Sequence, residues 1–434
     1  MQVSVENTSA LGRRVQVSLP SQQFKDSYQK RIREIARTAN LAGFRRGKVP
    51  TQIVEQRYGA QLRNEIAMDL VRENLSKALD EHKLRVAGTP SVNFDSARSE
   101  QDFEFEATFD VLPEFGQLDV SGLSIKREQA DVSDGDIHQM IENLRAQRRT
   151  WSDAERASIP GDLVTFEFHA EVDGTRVPAE GRERGGAVIG AGTVLQEIET
   201  ALTGMSIGDE RSFELTYPSE TPDANIAGKT ATAQITVTYV KAPILPEVSA
   251  EFIQSFGVES GVLETFHSEI RSNLQRELRN ALSARLRSEV VEKLVQANSG
   301  FELPSSLIEK EAESLRSQAL ANAKRQGAKI AEQPTLEPFM DTARHRTRAG
   351  LLLDAIAEQN MIKLNGARVG DALSAIASTY EDPSEVLRMY QSDERMIGAL
   401  RARVMEEQVA EWIADHAQTE IVTTTFAEVV RNSR

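Results

Sequence analysis

The octapeptide Gly43-Phe44-Arg45-Arg46-Gly47-Lys48-Val49-Pro50 is where the residue types of this chain could do specific chemistry. Its two glycines permit a sharp, exposed turn. An aromatic beside two guanidinium groups is a recognition device, since Arg pairs phosphate or carboxylate bidentately while the ring fills a pocket. Lys48 adds a cation, and Pro50 fixes the entry to whatever helix follows. Between Phe24 and Arg63 stand ten basic residues (Lys25, Lys30, Arg31, Arg33, Arg37, Arg45, Arg46, Lys48, Arg57, Arg63) against Asp26, Glu34 and Glu55. That segment carries +7 in a chain of formal charge -15, leaving -22 on the rest. The asymmetry predicts one local surface aimed at a polyanion on an otherwise acidic body. An ordinary helix–helix connection with a solvated basic face is the alternative.

Other chemistry is poorly served. Cysteine is absent, which excludes a disulfide framework, a thiol nucleophile, an iron–sulfur cluster and thiolate-bound zinc. The six histidines (His82, His138, His169, His267, His345, His416) never fall three to five residues apart, an argument against a histidine metal centre. Gly228-Lys229-Thr230 ends like a phosphate loop, but Asp223 occupies the first glycine position. Gly190-Ala-Gly192 starts like a dinucleotide fingerprint, yet Leu195 replaces its third glycine. Ser27-Tyr-Gln-Lys30 has the Ser-x-x-Lys spacing without the companion motifs of a penicillin-recognising enzyme. The residues therefore predict no nucleophile, no metal and no cofactor. The opening residues contain Glu6 and no apolar h-region, and no stretch approaches the ~18 apolar residues of a membrane helix. A soluble, cytoplasmic protein with no membrane partner is expected.

The elements that must hold the octapeptide follow from periodicity. Alternation over residues 1–20 (Val3, Val5; Val15, Val17, Leu19) predicts a strand pair. Phe24, Tyr28, Ile32 and Ile35 then predict a helix breaking at Gly43. A second helix follows Pro50-Thr51, with Val54, Leu62, Ile66 and Leu70 on its apolar stripe. Alternation returns over 85–112. Beyond a boundary at Pro113 come a short strand, Leu123–Arg127, and a helix opened by a capping box at Ser133 and Asp136, ending near Thr150. From about Ser152 to Ala242 short strands are divided by glycine turns, with a tight hairpin at Asp173-Gly174 and one helix, Leu195–Leu202.

After Pro243 and Pro246 the chain reads as helix. Phe266, Ile270, Leu274, Leu278, Leu282, Leu286 and Val290 recur every fourth residue, predicting one stripe packed on a partner helix or a client. Further helices are expected after Pro304-Ser305-Ser306, after Pro338 and after Asp382-Pro383-Ser384, the last including Val404–Ile413, with the tail, from about 421 to Arg434, loose at its end.

The octapeptide resembles the ribosome-docking signature of bacterial trigger factor, at the expected distance from the start. The resemblance covers the whole chain: an α+β head, a linker, an inserted β-rich domain and a helical body. Thr379-Tyr-Glu-Asp-Pro383 and Glu406-Glu-Gln408 also resemble the family's C-terminal arms. The family consists of chaperones that dock at the exit tunnel of the large ribosomal subunit and shield emerging chains. Carried over, Phe44, Arg45 and Arg46 would contact the tunnel-exit protein and nearby ribosomal RNA, and nascent, unfolded polypeptides would be the clients. A homodimer off the ribosome is a further family expectation.

The inserted domain resembles the FK506-binding-protein type of prolyl isomerase, most clearly at Gly204-Met-Ser-Ile-Gly208-Asp-Glu and at Val194-Leu195. That chemistry uses a largely aromatic pocket that favours the twisted X-Pro amide, lowering a barrier of ~18–20 kcal/mol without a nucleophile. By the resemblance, Phe168 keeps a pocket aromatic and Val194 with Leu195 the aliphatic pair. Aromatics are replaced at Val177, at Ile198, near Thr221 and at Ala233, while Pro178 takes an acidic position and Gly185-Gly186-Ala187 a bulky aromatic one. Weak or absent isomerase activity is expected, and packing of a small β core is an equally good account of the retained residues.

The expected organisation is multi-domain α+β. Residues 1–112 form an α+β ribosome-binding head, 113–150 a linker with a helix, 151–243 the small β-rich isomerase-like domain, and 244–434 an all-α client-binding body with helical arms. Two alternatives differ in class. A free-standing prolyl isomerase would need the full set of pocket aromatics. An RNA-binding protein using the basic helix pair would need a more basic chain. A coiled-coil structural protein is disfavoured by the non-heptad stripe and the interrupting prolines.

Overall fold

In a computed structural model, residues 1–38, 44, 49–94, 102–221, 226–327, 333–380 and 382–431 are described. They form two compact units, one of 1–129 with 282–423 and the other of 130–281 with 424–434. The architecture is multi-domain α+β.

The first unit opens with β1 (Gln2–Asn7) and β2 (Gly12–Leu19), then α1 (Ser21–Thr38) and α2 (Thr51–Glu81), then β3 (Val86–Phe94) and β4 (Phe103–Val111). The sheet is antiparallel in the order β1-β2-β4-β3, so the two helices are an insertion between its halves. Val15, Val17 and Leu19 alternate with polar neighbours, as do Phe103, Phe105, Ala107 and Phe109. One sheet face thereby becomes apolar and buries against Phe24, Ile66, Leu70 and Ala78 of the helices. Strand β5 (Ser124–Gln129) follows.

The second unit begins with α3 (Asp134–Gln147). The capping box is present: Ser133 Oγ accepts from Asp136 N, and the Asp136 carboxylate accepts from Ser133 N at 2.8 Å. Strands β6 (Thr150–Asp153), β7 (Leu163–Val172), β8 (Thr175–Val177) and β9 (Glu183–Val188) precede α4 (Gln196–Leu202), β10 (Glu210–Thr216) and β11 (Thr230–Ile244). They build one six-stranded sheet centred on β11 and β7, with α4 laid on its apolar face. Asp173 (φ +50°) and Gly174 (φ +77°) make the predicted β7–β8 turn, both in the left-handed region that such hairpins require. Helix α5 (Ala250–Gln254) and the start of α6 (Leu263–Ala297) complete the unit with a small core of Ile137, Ile141, Phe252, Phe266, Ile270 and Leu274.

The α6 stripe differs from the expectation of a single packing face. Four residues turn an α-helix ~400°, so an every-fourth-residue row drifts ~40° per step around the axis. Phe266 to Leu274 lie in the core just described, whereas Leu286, Val290 and Leu294 enter a different core with Ile125, Leu352, Ile356 and Ile413. Leu282, at the handover, is half-buried.

The first unit resumes with α7 (Ser305–Arg325), α8 (Met340–Gln359), α9 (Gly366–Ala377), α10 (Pro383–Ser392), α11 (Glu394–His416) and β12 (Gln418–Thr423). The single helix expected from Asp382 through Ile413 is two helices. Asp393 leaves helical geometry (φ -113°, ψ 103°) and its carboxylate accepts from Arg395 N at 2.9 Å, restarting the chain as α11. Helix α9 was not anticipated, although Asn365 caps it through Ala367 N at 2.9 Å. The tail adds two further elements, and its last three residues, 432–434, lie outside the described residues. β12 pairs in parallel with β5, from Gln418↔Ser124 to Thr423↔Gln129, and α12 (Phe426–Arg431) buries Val429 in the second unit.

Candidate functional site

Helices α1 and α2 flank the octapeptide in sequence and pack on each other. Ile32, Ala36, Val54 and Leu62 bury between them, with Tyr28, Ile35, Ile53 and Tyr58 at the edges. Val49 belongs to this core at 5% exposure, so its side chain anchors the end of the loop. Pro50 precedes α2 in extended geometry (φ -61°, ψ 138°), and its carbonyl accepts from Ile53 N at 3.1 Å. Phe44 is 38% exposed and belongs to none of the buried clusters, as a recognition aromatic should. Gly43, Arg45, Arg46, Gly47 and Lys48 lie outside the described residues.

The helices add what residue counting could not resolve, namely which cations are already spent. Arg31 pairs with Glu34 at 3.4 Å and Glu65 at 2.5 Å, and those bonds hold its guanidinium pKa above the ordinary value. Arg63 stands 5.7 Å from the Tyr28 ring centre. Burial pushes the Tyr28 phenol up against the opposing charge of Arg63, and its hydroxyl donates to Glu55 at 3.3 Å. Lys30, Arg33, Arg37 and Arg57 are exposed and carry no carboxylate partner among the described residues. These four cations on α1 and α2 were part of the sequence count, but only the fold identifies them as available.

The second candidate site sits on the six-stranded sheet of the second unit. Phe168 on β7 is half-buried at the edge of its core, 6.0 Å from the Phe166 ring centre. Val194 and Leu195 are half-buried beside the same core, and Ile198 of α4 is buried within it at 8% exposure. The fold thus brings together Phe168, Val194, Leu195 and Ile198. Val177 pairs with Ala170 on the outer strand β8 and is not part of that core.

Gly185 in β9 acquires a physical reason, whereas a Cβ on Gly186 would meet nothing nearer than the Val164 carbonyl oxygen at 4.0 Å. A Cβ built on Gly185 would stand 2.6 Å from Phe166 Cζ, and Phe166 is 2% exposed. The Phe166 ring therefore occupies the space over the glycine. Tyr217 and Phe213, which the sequence reading passed over, also pack against this core, and burial pushes the Tyr217 phenol up. Their signal was the inward alternation of Phe213, Leu215 and Tyr217 along and just beyond β10. Ala233 is fully buried, leaving a small side chain where a pocket aromatic was expected.

Comparison with known proteins gives the family of the chain. Residues 1–144 match the family model described as bacterial trigger factor protein, and residues 262–415 match the model of the trigger factor C-terminus. A trigger factor of Xanthomonas campestris pv. campestris is 44% identical over 433 residues, covering 99% of this chain and 100% of the relative. One from Stenotrophomonas maltophilia is 42% identical over the same span. A solved structure entitled "Promiscuous Substrate Recognition in Folding and Assembly Activities of the Trigger Factor Chaperone" covers 96% of this chain and 99% of its own, at 16% identity and a TM-score of 0.42, too distant to bear on the fold. The collinear full-length relatives and the two family matches place this chain in the bacterial trigger factor family of ribosome-associated chaperones.

Proposed function

We propose that this chaperone docks on the large ribosomal subunit at the tunnel exit through Gly43–Pro50, with Phe44 seated on the exit protein and Arg45, Arg46 and Lys48 on protein carboxylates and ribosomal RNA. The observation carrying this reading is on the helices that flank the loop in sequence: Lys30, Arg33, Arg37 and Arg57 stand exposed without carboxylate partners among the described residues, on two helices packed together through Val49, Val54 and Leu62. Exposed cations on the flanking helices supply long-range attraction, and an exposed aromatic ring supplies a specific anchor. The acidic remainder, at -22, keeps the body off RNA elsewhere. Residues 1–112 act as the head, 113–150 as the linker, 151–243 as the isomerase-like domain and 244–434 as the client-binding body, all in the cytoplasm.

Salt-dependent co-sedimentation with purified ribosomes tests the dock. Removing Phe44, Arg45 and Arg46 together (each to Ala) should abolish binding at physiological salt. Each lost phosphate contact should lower the slope of log K against log salt by about 0.7–0.9. Unchanged binding by the triple variant would favour the RNA-binding alternative, in which the helices alone form a non-specific anchor.

The isomerase-like domain has weak or absent activity in this reading. Its pocket positions hold Val177, Gly185, Ile198, Thr221 and Ala233 in place of aromatics, and the Phe166 ring covers Gly185. Turnover of a proline-containing peptide by the full chain at the rate of an aromatic-lined relative would overturn it.

A further inference from the structure

Two histidines that lie 129 positions apart in sequence meet in the second unit. His138 is on α3 and His267 on α6, with ring centres 6.0 Å apart and planes inclined at 65°. His138 Nδ1 lies 2.7 Å from the carbonyl oxygen of Asp134. A carbonyl can only accept, so Nδ1 carries the proton and the lone pair of this ring is on Nε2. That is the arrangement by which a backbone carbonyl orients a metal-ligating imidazole and fixes its tautomer. His267 is half-buried and has no hydrogen-bond partner among the described residues.

We propose that His138 and His267 form a two-imidazole site for a divalent transition-metal cation of the Zn²⁺, Ni²⁺ or Cu²⁺ type, with water completing its shell. The distances permit it. With a metal–nitrogen bond of ~2.0–2.1 Å, each ring centre lies ~3.2 Å from the ion, so two imidazoles bridged by it have centres ~5.2 Å apart at a tetrahedral angle and ~6.4 Å apart when opposed. The observed 6.0 Å falls inside that window. Imidazole selects late first-row divalent metals over Mg²⁺ and Ca²⁺, which prefer oxygen.

The nearby charges do not oppose the ion strongly. Arg271, one turn along α6 from His267, is neutralised by Asp134 at 2.5 Å. No third His, Asp or Glu joins the pair as a metal-binding group among the described residues, so the site is a weak, open one. Its effect would be to staple α3 to the first turns of α6, on the edge of the core formed by Ile137, Phe266 and Ile270.

The test uses the full chain, stripped with chelator and titrated with ZnCl₂ by calorimetry, and with CuCl₂ by electron paramagnetic resonance. One saturable equivalent is expected, with nitrogen superhyperfine splitting from two imidazoles on Cu²⁺. His138→Gln and His267→Gln should each weaken binding at least tenfold, and the double variant should fall little below either single one. Circular dichroism of the variants without metal checks that folding is intact, and His82→Gln serves as a control histidine. Binding unchanged in both variants, a single-nitrogen signal, or no saturable equivalent in the parent chain would each overturn the proposal.

Discussion

Replacing Gly185 by alanine should destabilise the second unit although it adds one carbon. The new Cβ would stand 2.6 Å from Phe166 Cζ and 2.7 Å from Cε2, well inside van der Waals contact. Phe166 is 2% exposed, packed among Val164, Ala187 and Ile235, so its ring cannot swing clear. Overpacking of this kind costs about 1–3 kcal/mol. Shrinking the ring by Phe166→Leu opens a cavity and carries its own cost, but it also removes the clash. In the double variant the Gly185→Ala penalty should therefore disappear, giving a coupling energy of about 1–3 kcal/mol.

The assay follows from the two tryptophans. Trp412 packs in the helical core of the first unit, whereas Trp151 lies on β6, opposite Pro243 of β11. In a Trp412→Phe background, Trp151 fluorescence reports urea unfolding of the sheet domain alone, with an unchanged m-value as the check on the unfolded state. A thermal midpoint should fall by about 4–8 °C for each kcal/mol in a domain of this size. Equal penalties for Gly185→Ala with and without the Phe166 ring would refute the reasoning. The space over Gly185 would then be free, and the Phe166 ring would not be what covers that glycine.

Asp162 is 1% exposed and accepts from Arg156 Nη1 and Nη2 at 2.5 and 3.0 Å and from Ile159 N at 3.0 Å. Burial alone would raise its pKa, but the Arg156 and Ile159 bonds outweigh it and hold the carboxyl below its ordinary value. Its stabilisation is therefore present above the ordinary carboxylate range and is lost as pH falls through the lowered folded value. Arg156→Met should cost about 1–3 kcal/mol at neutral pH by urea melt of the Trp151 signal, the difference shrinking in acid. Asp354 has the opposite sign: partial desolvation by its surroundings, with Glu358 beside it, raises its pKa despite Arg85 although the residue keeps an exposed edge, so its ionised form opposes folding at neutral pH. Asp354→Asn should raise the thermal midpoint at pH 7, with the gain fading as acid protonates the parent carboxyl. Asp382 caps α10 through Ser384 N at 2.9 Å and Glu385 N at 3.2 Å, and Asp382→Ala should cost about 0.5–2 kcal/mol, seen as faster amide exchange confined to α10.

Local order was legible in the chain wherever one element carried its own instruction. The capping box at Ser133, the Asp173-Gly174 turn and the alternation of Phe103, Phe105 and Phe109 all depend on neighbours a few residues away. Composition likewise excluded thiol chemistry without any coordinates. What the sequence could not settle are relations between distant residues. The tail forms β12 only because β5, nearly three hundred positions earlier, offers a parallel edge that no local pattern encodes. The α6 stripe looked like one face because a four-residue count hides a slow rotation, and tertiary packing divided it between two cores. Six scattered histidines showed no spacing that joins any two of them, and only the packing of α3 on α6 sets His138 beside His267. Likewise, ten cations could be counted between Phe24 and Arg63, but a carboxylate that claims Arg31, on Glu65, lies 34 positions away on the next helix and alongside in space. Periodicity and propensity act within a few turns of chain, whereas pairing, burial and charge neutralisation act across space, and only the folded chain brings those partners into reach.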